Sequence, residues 1–150
     1  MDHLPITFRG AVYPWHLDHM GHMNVMHYVH MFDQSTWALL AALGMPTSYF
    51  REERRAMAAV EQNIEYREEL FPGDLVENRS GVIEVRAKAV RFRHVMSNVQ
   101  TGTVAAQVTM VAVHIDSDAR RGAPLPAGVR DRAAALMWGP EVSKASHPSG

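Results

Sequence analysis

The chain has no cysteine among its 150 residues. That absence removes a disulfide framework, thiolate metal centres and a cysteine nucleophile from consideration, and it fits a reducing compartment. No run approaches 18 uninterrupted apolar residues, so no membrane-crossing helix is expected. The opening "MDHLPITFRG" lacks the basic region and apolar stretch of a secretory leader, which makes the cytoplasm the expected location. An excess of one charge is missing too. A formal net charge of -1 gives no general field for nucleic acid or acidic membranes, so neither is an expected partner, and an anionic ligand must be met by a local cluster. There is no low-complexity or charge-block segment before the C-terminal tail. With 47% hydrophobic and 21% charged residues the composition is globular, and the length suits one domain. That domain is read as residues 1–138, with 139–150 as a tail expected to be mobile.

What the chain does have is histidine, concentrated in one place. Four of the nine lie in "WHLDHMGHMNVMHY", Trp15 to Tyr28, around one aspartate, one glycine and one asparagine. Upstream, Ile6, Phe8 and Val12 alternate with polar or small residues, the period of a half-buried strand that Pro14 ends. Downstream, Val25, Val29, Phe32, Thr36, Leu39 and Leu43 follow steps of four and three, the core stripe of a helix of about 19 residues, roughly 28 Å long. The histidine stretch is therefore a strand-to-helix loop. Asn24 suits the N-cap, and Gly44 with Pro46 supplies the stop.

After a basic, mixed segment (Arg51 to Arg55), Val60, Gln62, Ile64 and Tyr66 alternate with Glu61, Asn63, Glu65 and Arg67 in a second strand, closed by the turn "FPGD" at Phe71 to Asp74. Leu75 to Val99 carries two more alternating runs with a turn near Lys88. In them Ile83, Val85 and Ala87 fall on one side, followed by Val90, Phe92, His94 and Met96. "NVQTG" (Asn98 to Gly102) is a turn, and Val104 to Ile115 is a nearly apolar and so central strand. "RRGAPLP" (Arg120 to Pro126) reads as a loop and Val129 to Trp138 as a short helix. One long helix must then cover one face of an antiparallel sheet, leaving the other face and an edge unfilled; dimerisation is a reasonable expectation.

The loop Asp18-x-x-Gly21-His22-x-Asn24, followed by His27-Tyr28 and a helix ending in Leu43-Gly44, resembles the hot-dog-fold acyl-CoA thioesterases of the 4-hydroxybenzoyl-CoA thioesterase type. The resemblance continues through "Y-x-E-x-L-x-P-G-D" at Tyr66 to Asp74 and "R-x-x-P-L-P" at Arg121 to Pro126. "GHMNV" with a tyrosine four residues later looks most like the branch associated with carnitine degradation, which acts on betainyl-CoA. The resemblance implies an α+β hot-dog fold, an antiparallel sheet wrapped around one long central helix, in a homodimer or homotetramer. It also implies hydrolysis of a small or medium acyl-CoA with no cofactor. Many such enzymes carry an acidic residue two positions before the aspartate, where this chain has His16.

Thioester hydrolysis needs a group that activates or replaces water and a place for the charge on the carbonyl oxygen. By resemblance Asp18 is the catalytic carboxylate, as nucleophile or as general base, against the plainer reading of a loop aspartate capping a turn. The backbone N-H groups at Val25 and Met26, unpaired at a helix start, suit the oxyanion. His22 could position water or merely fix the loop, and Asn24 is a cap that in the resembling enzymes also lies against substrate. Gly21 gives the loop its flexibility, and Tyr28 suits the pocket wall. For a betainyl group, Trp15, Tyr28 or Trp37 could wall the trimethylammonium, although tryptophans are more often plain core. Glu61, Asn63 and Glu65 share one strand face that could line the acyl group from a partner subunit; a solvated face is the simpler reading. Arg91 and Arg93 are the best candidates for the CoA phosphates, with ordinary surface charge as the alternative.

Other classes fit less well. His16, Asp18, His19, His22, His27 and His30, with Met20, Met23, Met26 and Met31, offer donors for a metal, but no established ligand spacing appears and no metal is expected. Hot-dog dehydratases, as the resemblance is usually drawn, place histidine five residues after the aspartate, where this chain has Met23. A non-catalytic acyl-CoA-binding subunit stays open at this level.

Overall fold

The computed structural model describes residues 1–139. Beyond Gly139, the expected tail lies outside the described residues. The alternating segments form β1 (Ile6–Ala11), β2 (Arg55–Tyr66), β3 (Leu75–Val85), β4 (Ala89–Asn98) and β5 (Val104–Asp116). They make one antiparallel sheet in the order β1-β3-β4-β5-β2, so β5 is interior, as its apolar sequence predicts, and β2 is an edge. A short β6 (Arg121–Gly122) pairs with the end of β5 inside the stretch read as a loop.

The central helix, α1 (Val25–Ala42), runs across the inner face of this sheet. The Asn78 amide donates to Met31 O at 3.3 Å, and Thr36 Oγ1 meets His94 Nε2 at 2.9 Å. The expected stripe holds from Phe32 onward but not before it. Val25 and Val29 are exposed, and Tyr28, Met31 and Ser35 take the buried positions. The longer side chains of Tyr28 and Met31 remove more apolar surface from water than the two valines would. Around them Phe32, Leu39, Leu40, Phe92, Met96 and Val108 close the core. Ile83 is a second correction. A register shift between Val82 and Glu84 turns Val82 fully inward and leaves Ile83 half-buried.

Two short helices complete the described residues. α2 (Thr47–Glu52) overlaps the segment read only as basic and mixed. α3 (Val129–Ala134) stops earlier than expected, because Leu136 to Trp138 run extended along β3: Val82 N-H donates to Leu136 O and Trp138 N-H to Val82 O, both at 2.7 Å. A Cβ at Gly81 would lie 2.8 Å from Trp138, 3.0 Å from Leu4 and 3.1 Å from Leu136 O. Glycine there lets the first and last described segments meet on one strand.

The core contains a polar chain that the apolar pattern does not reveal. Thr7 Oγ1 lies 2.6 Å from Ser80 Oγ, Ser80 Oγ 2.6 Å from His94 Nδ1, and Thr36 closes it on the other ring nitrogen. His94 is wholly buried, which pushes its pKa down to about 3; the ring is neutral.

Candidate active site

Between β1 and α1 the chain makes a 3-10 turn (Pro14–His16) and then a narrow hairpin. Leu17 bridges Met23, Asp18 N-H donates to His22 O at 3.2 Å, and Gly21 N-H donates to Asp18 O at 3.1 Å. Gly21 has φ +86°, in the left-handed region where a Cβ is penalised, so the turn needs glycine rather than mere flexibility. Buried Met23 pins the hairpin by donating its N-H to Leu70 O at 2.8 Å. Asp18 and His22 thereby face each other across two strands of one small loop.

Asp18 Oδ1 accepts the Met20 N-H at 2.8 Å, so the turn-capping role is present. Its other oxygen has no partner among the described residues, and the two roles use different atoms. Asn24 is the N-cap. Its side-chain oxygen accepts Met26 N-H at 3.0 Å and its carbonyl accepts His27 N-H at 3.0 Å. The expected pair of unpaired donors at Val25 and Met26 therefore reduces to one, since the cap consumes Met26. Val25 N-H finds no acceptor among the described residues.

Val25 and His22 open onto a cavity of about 200 Å³ whose remaining wall includes Tyr28, Tyr66, Glu68 and Glu69. Tyr28 donates its hydroxyl to Glu68 O at 3.2 Å and meets Tyr66 edge to face, with ring centroids 5.2 Å apart. Burial pushes the Tyr28 phenol up to about 12, so it stays a hydroxyl at neutral pH; burial raises the Tyr66 phenol as well. His22 Nε2 stands 3.6 Å from Glu69 Oε1. Sequence reasoning gave no role to Tyr66, Glu68 or Glu69. The signal was the "Y-x-E-x-L" segment itself, which Met23 ties to the loop through Leu70.

Trp15 and Asp18 do not line this cavity. Trp15 is 70% exposed and stacks on Tyr13 at 4.5 Å. Trp37, three turns along α1, packs against Phe50 and donates its indole N-H to Asp33. Of the three aromatics expected at an acyl pocket only Tyr28 lines this cavity, and Tyr66 joins it. Glu61, Asn63 and Glu65 come together with Arg91 and Arg93, in a cleft of about 620 Å³. By alternation from inward-facing Phe92 and His94, this is the sheet face opposite α1. Register puts Arg91, Val111 and Glu61 in one row and Arg93, Thr109 and Asn63 in the next. Arg93 donates to Thr109 Oγ1 and lies over the Trp138 ring, and Arg67 and Gln107 both donate to Glu65. Two sets expected in separate roles thus share one polar cleft, which adjoins the smaller cavity at Arg67. Among the described residues no three histidine, aspartate or glutamate side chains are placed to hold a metal.

The profile of the thioesterase-like superfamily matches residues 12–133. A betainyl-CoA thioesterase from Pseudomonas aeruginosa is 24% identical over 136 residues, spanning 91% of this chain and 86% of its own. An L-carnitine dehydrogenase/betainyl-CoA thioesterase from Rhizobium meliloti is 26% identical over 113 residues, covering 75% of this chain but 23% of that longer protein. Among solved structures, a Staphylococcus aureus protein in complex with CoA superposes with TM-score 0.82 at 17% identity, covering 92% of this chain and 91% of that one. A 1,4-dihydroxy-2-naphthoyl-CoA thioesterase from Synechocystis gives TM-score 0.76 at 17% identity, with 87% and 96% coverage. Structural likeness at this identity speaks to the fold, and the matched profile speaks to the family. The chain belongs to the thioesterase-like superfamily: it is a thioester hydrolase with the hot-dog fold.

Proposed function

We propose that this chain hydrolyses a small acyl-CoA whose acyl end carries a positive charge, using its own residues and no metal or organic cofactor. The observation that carries the reading is the Val25 N-H at the start of α1, left without an acceptor beside a cavity of about 200 Å³. A thioester carbonyl oxygen placed there receives the hydrogen bond and the positive end of the helix dipole as its charge develops. Removing one such donor typically costs roughly 2.7–4 kcal/mol of transition-state stabilisation.

Asp18 is not a lining residue of that cavity, but it is carried on the same small hairpin as His22, which is, and in this reading it supplies the carboxylate through the oxygen that Met20 leaves open. In one route it takes a proton from water as the water oxygen bonds to the thioester carbon; the C-S bond then breaks and the thiolate is protonated. In the other it attacks that carbon itself, the C-S bond breaks to leave a mixed anhydride with Asp18, the departing thiolate is protonated, and water then cleaves the anhydride to free acid and carboxylate. His22 stands across the hairpin, where it can orient the water in either route. The acyl end meets Tyr28 and Tyr66, whose ring faces attract a cation by about 0.5–2 kcal/mol, with Glu68 and Glu69 beside them. Relatives named for betainyl-CoA support a quaternary ammonium. The phosphates of CoA belong against Arg91 and Arg93.

The test is thiol release from short, aromatic and betainyl acyl-CoAs, by wild type and Asp18→Asn, after chelation. Chelator-resistant turnover, fastest on the betainyl substrate and reduced at least a hundredfold in the variant, is expected. Binding of CoA without turnover would instead mark a non-catalytic acyl-CoA-binding protein. A neutral aromatic acyl group as the best substrate would remove the cationic reading and keep the hydrolase. In single-turnover H₂¹⁸O experiments, label entering Asp18 would select the nucleophilic route.

A further inference from the structure

The loop that carries Asp18 is held at both ends by one residue. His16 Nδ1 accepts the Tyr13 N-H at 2.9 Å, and His16 N-H donates back to Tyr13 O at 2.9 Å. Its carbonyl accepts the N-H of Asn24, the N-cap of α1, also at 2.9 Å. Its ring lies 4.7 Å from the ring of His27 in the first turn of that helix. His16 therefore joins the end of the first strand segment to the start of the central helix, and Asp18 and His22 hang between the two joints.

The first of these bonds requires a neutral ring. An Nδ1 that accepts from a backbone N-H has its lone pair free; a protonated ring presents a second N-H to that donor. We propose that His16 is a positioning residue for Asp18, acting as a proton-sensitive staple: neutral, it closes the loop on the helix start, and protonated, it releases Tyr13. The catalytic role of Asp18 rests on the function proposed above; the staple does not.

The groups bearing on His16 favour the closed state. His27 and His30 face it from α1, the positive end of the helix dipole lies beside it, and the Tyr13 and Trp15 rings pack on it edge-on from the turn. Burial first, then His27 and His30, hold its pKa below the usual histidine value. The sign follows: the staple is present at neutral pH and is lost as pH falls through the depressed value. Removing His27 and His30 takes away two of the causes, so it moves the loss toward higher pH.

The experiment pairs pH profiles of kcat with NMR on the intact chain. His16→Asn keeps an acceptor near Nδ1 and cannot titrate; His27→Gln with His30→Gln leaves the acceptor and shifts its titration. A reacting carboxylate supplies its own acid limb, which stays in every variant; expected beside it is a second acid step in wild type that disappears in His16→Asn and moves to higher pH in the double variant. His16→Ala, with no acceptor, falls about ten- to a hundredfold below wild type in kcat at neutral pH, the scale of a small misplacement of a reacting group, and converges with wild type once His16 is protonated. In wild type the Tyr13 amide resonance follows the titration of the His16 ring. A Tyr13 amide that ignores that titration, or a second acid step unchanged in both sets of variants, overturns the proposal. If the Tyr13 amide follows His16 but no acyl-CoA is cleaved, the staple stands and the hydrolytic role of Asp18 falls.

Discussion

The His94 side chain sits in an environment far from that of a free imidazole. The ring is enclosed, hydrogen-bonded by Ser80 on one nitrogen and Thr36 on the other, and held neutral to about pH 3. In the unfolded chain it titrates near 6.5. Between those values the unfolded state binds the extra proton, so stability is present above pH 6.5 and declines as pH falls. At pH 4.5 the loss amounts to roughly 2–3 kcal/mol relative to pH 7, at about 1.4 kcal/mol per unit. Denaturant unfolding of wild type and His94→Asn at the two pH values checks this: the variant should be less stable at pH 7 and lose less on acidification. The period-two pattern puts His94 on the inward side with Val90, Phe92 and Met96, but it says nothing of its partners. His94 occupies an inward position among Phe92, Met96 and Val108, and a sequence shows that a polar group faces the core without showing which hydroxyls will satisfy it. The same holds for Tyr66, whose place at the cavity depends on a partner, Tyr28, 38 positions away in the chain.

At the scale of one element, α1 combines a structural end and a chemical end. Asn24 ties down Met26 N-H and leaves Val25 N-H open at the helix start, beside the cavity. Asn24→Ala is expected to cost about 0.5–2 kcal/mol of stability. It also frees a second N-H beside the first, and it loosens the end of the helix on which the carbonyl is to rest. The expected signature is a fall in kcat larger than any rise in KM, measured well below the unfolding temperature; an unchanged kcat would separate the cap from the chemistry. The helix, its cap and its stop were all readable, because they rest on local signals: a short polar side chain before the first turn, a 3.6-residue period, and Gly44 with φ +90° after the last. Its rotation about its own axis was not readable at the first turn. Val25 is left exposed there, and no periodic signal says where cover begins.

For the whole molecule, the open question posed by the sheet is its edge. β2 pairs with β5 on one side only, and Val60, skipped by the register between Ala59 and Glu61, is 62% exposed there. An uncovered strand of 12 residues is a template for another strand. We expect a dimer by sedimentation, at twice the 16.8 kDa of the chain, and a shift toward monomer in Val60→Lys, since an edge lysine opposes strand pairing. A monomer in wild type at micromolar concentration would show that the edge is tolerated. The strands and the central place of β5 were legible from the alternation and from one nearly apolar run, but the strand order and the cleft shared by Arg91, Arg93, Glu61 and Asn63 were not. The cleft exists only once β4, β5 and β2 lie side by side, and the residues it joins are 30 apart in sequence.

The crossing at Gly81 has a further consequence, which concerns time. The half of β3 beyond Arg79 is paired on that side by Leu136 to Trp138, not by β1. At synthesis rates of about 5–20 residues per second, roughly 3–11 seconds separate the making of Gly81 from the making of Trp138. During that interval every new copy carries Val82 on an edge that no later segment has yet closed, and its exposure to other nascent chains is set by the ribosome rather than by the stability of the finished fold.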